Sequence, residues 1–98
     1  MYTLGRWTVL PGREAEFVEA WKALGKTFLS LEHPPPAGTG VLVRSLDDPS
    51  LFYSFGPWDD PAHVAEMRAD PAAGARIRAL VALCAEATPG GFKVVARA

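Results

Sequence analysis

Asparagine and glutamine are absent from this chain of 98 residues. No side-chain amide is therefore available to orient a substrate or polarise a carbonyl. The same absence, with Arg outnumbering Lys, fits a heat-adapted source and equally fits a bias in base composition. Cysteine occurs once, at Cys84, which excludes an intrachain disulfide framework. An excess of charge is missing too: 10 Lys+Arg stand against 11 Asp+Glu, for a net charge of −1. With no basic stripe, nucleic acid is not an expected partner. No apolar run approaches ~18 residues and no signal-peptide pattern opens the chain, so no membrane association is expected and the protein reads as soluble and cytoplasmic.

What is present is strongly apolar. Hydrophobic residues make up 49% of the chain and aromatics 10%, a large content for the single small domain, residues 1–98, that this length allows. Tyr2 to Leu10 is rich in β-branched, aromatic and aliphatic residues and reads as a strand, stopped by Pro11-Gly12. From Arg13 the period changes. Phe17, Ala20, Trp21, Leu24 and Phe28 share one face, with acidic residues early and lysines late, as a helix dipole favours. The run Pro34-Pro35-Pro36 cannot be helical. Strands are expected over Val41–Leu46 and from Leu51 to about Phe55, joined by the turn Asp47-Asp48-Pro49-Ser50, with Gly56-Pro57 ending the pairing. Asp60-Pro61 and Asp70-Pro71 each place an N-capping Asp before a Pro at the first helical position. They predict helices to about Ala69 and about Ala87. Pro89-Gly90-Gly91 is expected to break the second of these, leaving Phe92–Arg97 as the last strand.

The order β-α-β-β-α-β, with its second helix split, predicts an α+β, ferredoxin-like domain: an antiparallel sheet with the helices on one face. The other face would be bare, yet Leu51, Tyr53 and Phe55 share one parity of their strand and Leu4 and Leu10 one parity of theirs. An apolar sheet face of this kind marks an interaction surface. The expected remedy is a two-fold homodimer packed sheet on sheet, a barrel built from two chains.

Two segments resemble a known family. Pro11-Gly12-Arg13-Glu14-Ala15-Glu16-Phe17 followed by Trp21 is similar to the turn and first helix of the antibiotic biosynthesis monooxygenases (ABM). Leu46-Asp47-Asp48-Pro49, then Phe52, then Trp58 and a helix, resembles the hairpin and strand-to-helix corner of the same family. The resemblance covers nearly the whole chain in element order and implies a dimeric α+β barrel. It implies, too, either cofactor-independent oxygenation of aromatic polyketide intermediates or haem degradation. The haem-degrading branch uses an Asn, a Trp and a His at places that hold Gly5, Met67 and Arg76 here. That branch is therefore not expected, nor is any cofactor. The polyketide oxygenases resemble a mechanism assisted by Asn, Trp, Tyr and Arg, of which the Asn is missing here.

The residues themselves offer few candidates for chemistry. Trp58, at the corner between sheet and helix, suits stacking on a flat ligand and equally suits plugging the gap. Trp7 and Tyr53 are strand residues for the same cavity or for the core, and Tyr53 carries a hydroxyl for a phenol or enolate oxygen. Together with Met67, Trp7 and Trp58 are the expected lining for substrate. His63, near a helix start, is a candidate base, and Arg76, with Arg68 and Arg78, is a candidate for an anionic group. Against this, arginines on helices commonly pair with neighbours such as Glu66, Asp70 or Glu86 on the surface. His33, His63 and Cys84 lack metal-ligand spacing, so no metal is expected. Cys84, on the apolar helix stripe, reads as a buried thiol. These features predict a homodimer that binds a small, flat, phenolic or quinone-like molecule. It would act either as a cofactor-free monooxygenase or as a non-catalytic ligand-binding or stress-associated domain.

Overall fold

Eight residues from Tyr2 to Val9 form β1, the strand around which the rest is arranged. The computed structural model describes all 98 residues. Pro11-Gly12 reverses the chain, and Gly12 takes a φ of 81°, a conformation that side chains disfavour. Helix α1 (Glu14–Phe28) follows, one residue later than the expected start, with the Arg13 guanidinium 2.6 Å from the Glu16 carboxylate across its first turn. Strand β2 (Val41–Arg44) is shorter than its apolar run. The Ser45 hydroxyl accepts from the amides of Asp47 and Asp48, so the turn begins at Ser45 and withdraws Leu46 from the ladder.

Strand β3 (Leu51–Pro57) pairs with both β2 and β1, and its pairing runs through Gly56-Pro57 to Tyr2 rather than stopping before them. At the last position of a strand the missing proline N–H breaks no further ladder bond. Helices α2 (Pro61–Ala69) and α3 (Pro71–Ala82) open as expected. The Asp60 carboxylate accepts from Ala62 N and the Asp70 carboxylate from Ala73 N, each at 2.8 Å, and Pro61 and Pro71 occupy the first helical positions.

The last element departs from the sequence reading. Helix α3 ends at Ala82, and β4 runs over Cys84–Phe92, with Pro89-Gly90-Gly91 inside it. Of the expected last strand, Phe92–Arg97, only Phe92 is in β4; residues 93–98 carry no regular structure and are exposed. The spacing of Leu80, Leu83, Cys84 and Ala87 is compatible with a helix. Pairing with β1 decides otherwise: Cys84 lies opposite Val9 and Ala87 opposite Trp7, with a register shift at Thr8/Val9. Proline is tolerated because β4 is an edge strand whose free side needs no donor. Cys84 thus opens a strand. Its thiol donates to the Leu80 carbonyl, and partial burial raises its pKa.

The sheet order is β2-β3-β1-β4, fully antiparallel, with the helices on one face. Opposite Trp7 stands Phe52, and these two with Val9 meet Phe17 and Leu24 of α1 and Leu80 of α3 in one core cluster. The rings of Trp7 and Phe17, and of Phe17 and Phe52, lie 5.7 and 5.2 Å apart. A second cluster joins Leu31, Trp58, Val64, Met67 and Ala73, with Phe28 packed against both. No polar or charged residue is buried. On the other face Leu4, Val41, Val43, Tyr53, Phe55 and Phe92 are all partly exposed, at 38–47%. No helix is long and apolar enough to cross a membrane.

Candidate functional site

A cleft of about 790 Å³, open along one side, lies between the sheet and the helices. Its walls come from the start of β1, the end of β3, one face of α1, α2–α3 and the loop over residues 35–40. Clefts of roughly 300–1,000 Å³ accommodate small organic ligands. Seven of the nine glycines line it: Gly5, Gly25, Gly38, Gly40, Gly56, Gly74 and Gly90. The space exists largely because side chains are missing there.

Three indoles line the cleft, those of Trp7, Trp21 and Trp58, and two of them are tied to a hydroxyl. Trp7 Nε1–H donates to Ser54 Oγ at 2.9 Å, and Trp58 Nε1–H donates to Thr3 Oγ1 at 3.0 Å. Strand register sets this up: Ser54 lies opposite Gly5 and Thr3 opposite Gly56, so both hydroxyls share the helical face with Trp7. Each oxygen accepts from an indole and keeps its own proton to give, and no protein acceptor takes either proton. Accepting a hydrogen bond strengthens an O–H as a donor. The cleft therefore presents two polarised hydroxyl donors on an apolar floor. Carboxylate, imidazole, phenol and thiol groups are all missing from its lining.

The expected site residues divide accordingly. Trp7, Trp58 and Met67 line the cleft while remaining 4–5% exposed, and Phe28 meets Trp58 edge-on at 5.4 Å. Tyr53 does not join them. Its partner across the sheet is Arg6, so its ring lies on the open face, where Arg6 Nε donates to its hydroxyl at 3.2 Å. Arg76 is exposed, lies off the cleft and forms no ion pair, whereas Arg68 and Arg78 line it. The expected pairings of the helical arginines with Glu66 or Asp70 do not form, and Glu86 instead meets Arg6 at 3.7 Å. Thr3 and Ser54 are not legible in the sequence, because short hydroxyl residues in strands carry no signal until register puts them beside the indoles.

His63 also lies off the cleft, stacked on His33 with ring centroids 4.4 Å apart. His33 Nδ1 lies 2.8 Å from Glu66 Oε2, and the His33 backbone N–H donates to Glu66 Oε1. This hydrogen bond raises the His33 pKa and lowers that of Glu66. It staples the proline-rich loop to α2. Donor atoms of Glu32, His33 and Glu66 lie within 4.8 Å of one another, and a cation there would displace the proton His33 shares with Glu66.

No family model matches the chain, and no curated protein matches it. Solved structures do. A mutant of SnoaB, a cofactor-independent oxygenase from Streptomyces nogalater, superposes with a TM-score of 0.84 at 22% identity, over 98% of this chain and 93% of that one. A structure described as an antibiotic biosynthesis monooxygenase gives 0.75 at 14% identity, over 97% and 98%. A conserved protein from Methanosarcina mazei gives 0.73 at 16% identity, over 94% and 91%. Sequence identities this low speak to architecture alone. The resemblance read from the sequence therefore holds at the level of the backbone: this chain has the fold of the antibiotic biosynthesis monooxygenases.

Proposed function

We propose that the cleft binds a flat hydroxylated aromatic molecule and oxygenates it without a cofactor, in a homodimer formed through the open sheet face. The observation that carries the reading is the pair of indole-polarised hydroxyls, Thr3 and Ser54, on the floor of an aromatic cleft. Donors already in place stabilise negative charge on a substrate oxygen, and an apolar floor makes each one count for more than in water. The substrate's phenolate or enolate is the electron source. Its proton leaves to solvent through the open side, since no group lining the cleft accepts it. The anion reduces O₂, and a ring CH₂ flanked by aryl groups becomes C=O. One oxygen atom enters the product and the other departs as water with the two hydrogens of that carbon. SnoaB, described as a cofactor-independent oxygenase, has the same fold.

The test is O₂ uptake with a panel of dihydroxyanthracene-type phenols. Wild type is expected to exceed a Thr3→Val/Ser54→Ala variant clearly, and equal rates would refute the role of the hydroxyls. No uptake above a Trp58→Ala control would sink the oxygenase reading for that class.

One observation favours a second reading, non-catalytic binding: the cleft has no proton acceptor. Tight binding without O₂ uptake would decide for it.

Apolar exposure on the sheet supports the dimer. Leaving Val41, Val43, Tyr53, Phe55 and Phe92 wet is unfavourable, and obligate dimers bury on the order of 2,000 Å² or more in such contacts. A light-scattering mass of one subunit at micromolar concentration would refute it.

A further inference from the structure

The charge around the cleft is opposite in sign to that of the whole chain. The protein carries −1 overall. Yet the cleft is lined by four cationic side chains, Lys22 and Lys26 of α1, Arg68 of α2 and Arg78 of α3, and by no Asp or Glu. Lys22 is engaged by Glu19 at 3.2 Å. The other three have no carboxylate within ion-pairing distance and donate no hydrogen bond within the protein, whereas Arg6 pairs with Glu86 and Arg13 with Glu16. Unpaired cations beside a low-dielectric wall focus a positive potential into the space between them.

The backbone beside these cations is stripped. Gly25 directly precedes Lys26, and Gly74 lies one turn before Arg78, close enough that a Cβ there would sit 3.4 Å from Arg78 Nη1. A Cβ on Gly25 would meet nothing within 4 Å. Glycine is less favourable than alanine in a helix interior, and packing within the chain does not call for it at Gly25.

We infer that the cleft selects a planar aromatic anion, with its carboxylate or ionised phenol oxygen held at the mouth between Lys26 and Arg78 while the rings lie against Trp7 and Trp58. This rests on the cleft being a ligand site, as argued above, and adds the ligand's charge and its orientation. An ammonium supplies a mobile point charge, and a guanidinium supplies a planar fork matched to a carboxylate. The two glycines let the ligand approach the helix backbone between these groups.

Calorimetric titration with a matched pair of probes, 2-naphthoate and its neutral isostere 2-naphthamide, tests this. The acid is expected to bind about tenfold more tightly, the effect of one charge-assisted hydrogen bond. Its advantage shrinks in Lys26→Ala and in Arg78→Ala and disappears in the double variant, while amide affinity stays within about twofold. Both side chains are exposed, so melting temperature is expected to hold. A measurement on the unaltered protein backs the variants: ionic strength of about 1 M, which screens charges beyond ~3 Å, weakens the acid and leaves the amide alone. Equal affinities for acid and amide, or an advantage that survives in the double variant, would overturn the inference while leaving the cleft a ligand site. Failure of both probes to bind would overturn the inference and the cleft reading together.

Discussion

Alanine at Gly25 is expected to make the protein more stable and worse at binding, a combination that separates a ligand-driven glycine from a structural one. Gly25 has an ordinary helical backbone, since only Gly12 and Gly38 have positive φ. Nothing lies within 4 Å of the position its Cβ would take. The substitution therefore meets neither strain nor overlap, and it removes conformational freedom from the unfolded chain, a gain of about 0.5–1 kcal/mol. For a domain of this size that corresponds to a rise in melting temperature of roughly 2–8 °C. The new methyl group projects into the cleft beside Lys26, so 2-naphthoate affinity is expected to fall. Two other glycines calibrate the argument. At Gly12 there is also open space, but φ is 81°, so Gly12→Ala is expected to cost roughly 1–2 kcal/mol from backbone strain alone. At Gly5 a Cβ would lie 2.5 Å from Trp7 Nε1, so Gly5→Ala must displace a buried indole, at about 1–3 kcal/mol. Thermal denaturation of the three variants, with one binding titration each, checks the set. Should Gly25→Ala lower the melting temperature, or raise it with binding intact, the reasoning is refuted.

Three further expectations follow from the geometry. Ser54→Ala leaves the Trp7 N–H without its partner in a half-buried position, at about 1–3 kcal/mol of stability, measured by urea unfolding, with a change in indole emission. Val43→Glu, opposite Tyr53 on the open face, puts a charge into the proposed interface, and light scattering is expected to report a shift from two subunits to one while circular dichroism holds. The His33–Glu66 contact makes stability depend on pH in both directions. The raised His33 pKa adds stability that is complete below the unfolded value near 6.5 and is lost as pH rises through the folded value. The lowered Glu66 pKa adds stability that is present above about 4.5 and is lost as pH falls through its folded value. Melting temperature is therefore expected to gain most from this pair between about pH 4.5 and 6.5. Glu66→Gln should flatten that feature, and an unchanged profile would show that the contact contributes nothing in solution.

Local signals decided much of this protein before any folding. The Asp-Pro pairs at Asp60-Pro61 and Asp70-Pro71 each join a cap to a preset φ, so both helix starts follow from neighbours in sequence. The stripe of Phe17, Leu24 and Phe28 fixed α1, and the element order fixed the antiparallel sheet with its bare, apolar side. The last strand was different. Residues 84–87 fit a helix and a strand equally well by spacing, and only the hydrogen-bonding edge of β1, brought from the far end of the chain, chose strand. Register likewise sent Tyr53 to the face away from Trp7 and set Ser54 beside that indole, because one residue along a strand is the difference between opposite sides of a sheet. Packing of α1 against α3 then gathered Lys26 and Arg78 at the cleft and left Arg76 in solvent, since the helical period separates neighbours two apart. Local chemistry set which elements form, and long-range pairing set which of their side chains meet.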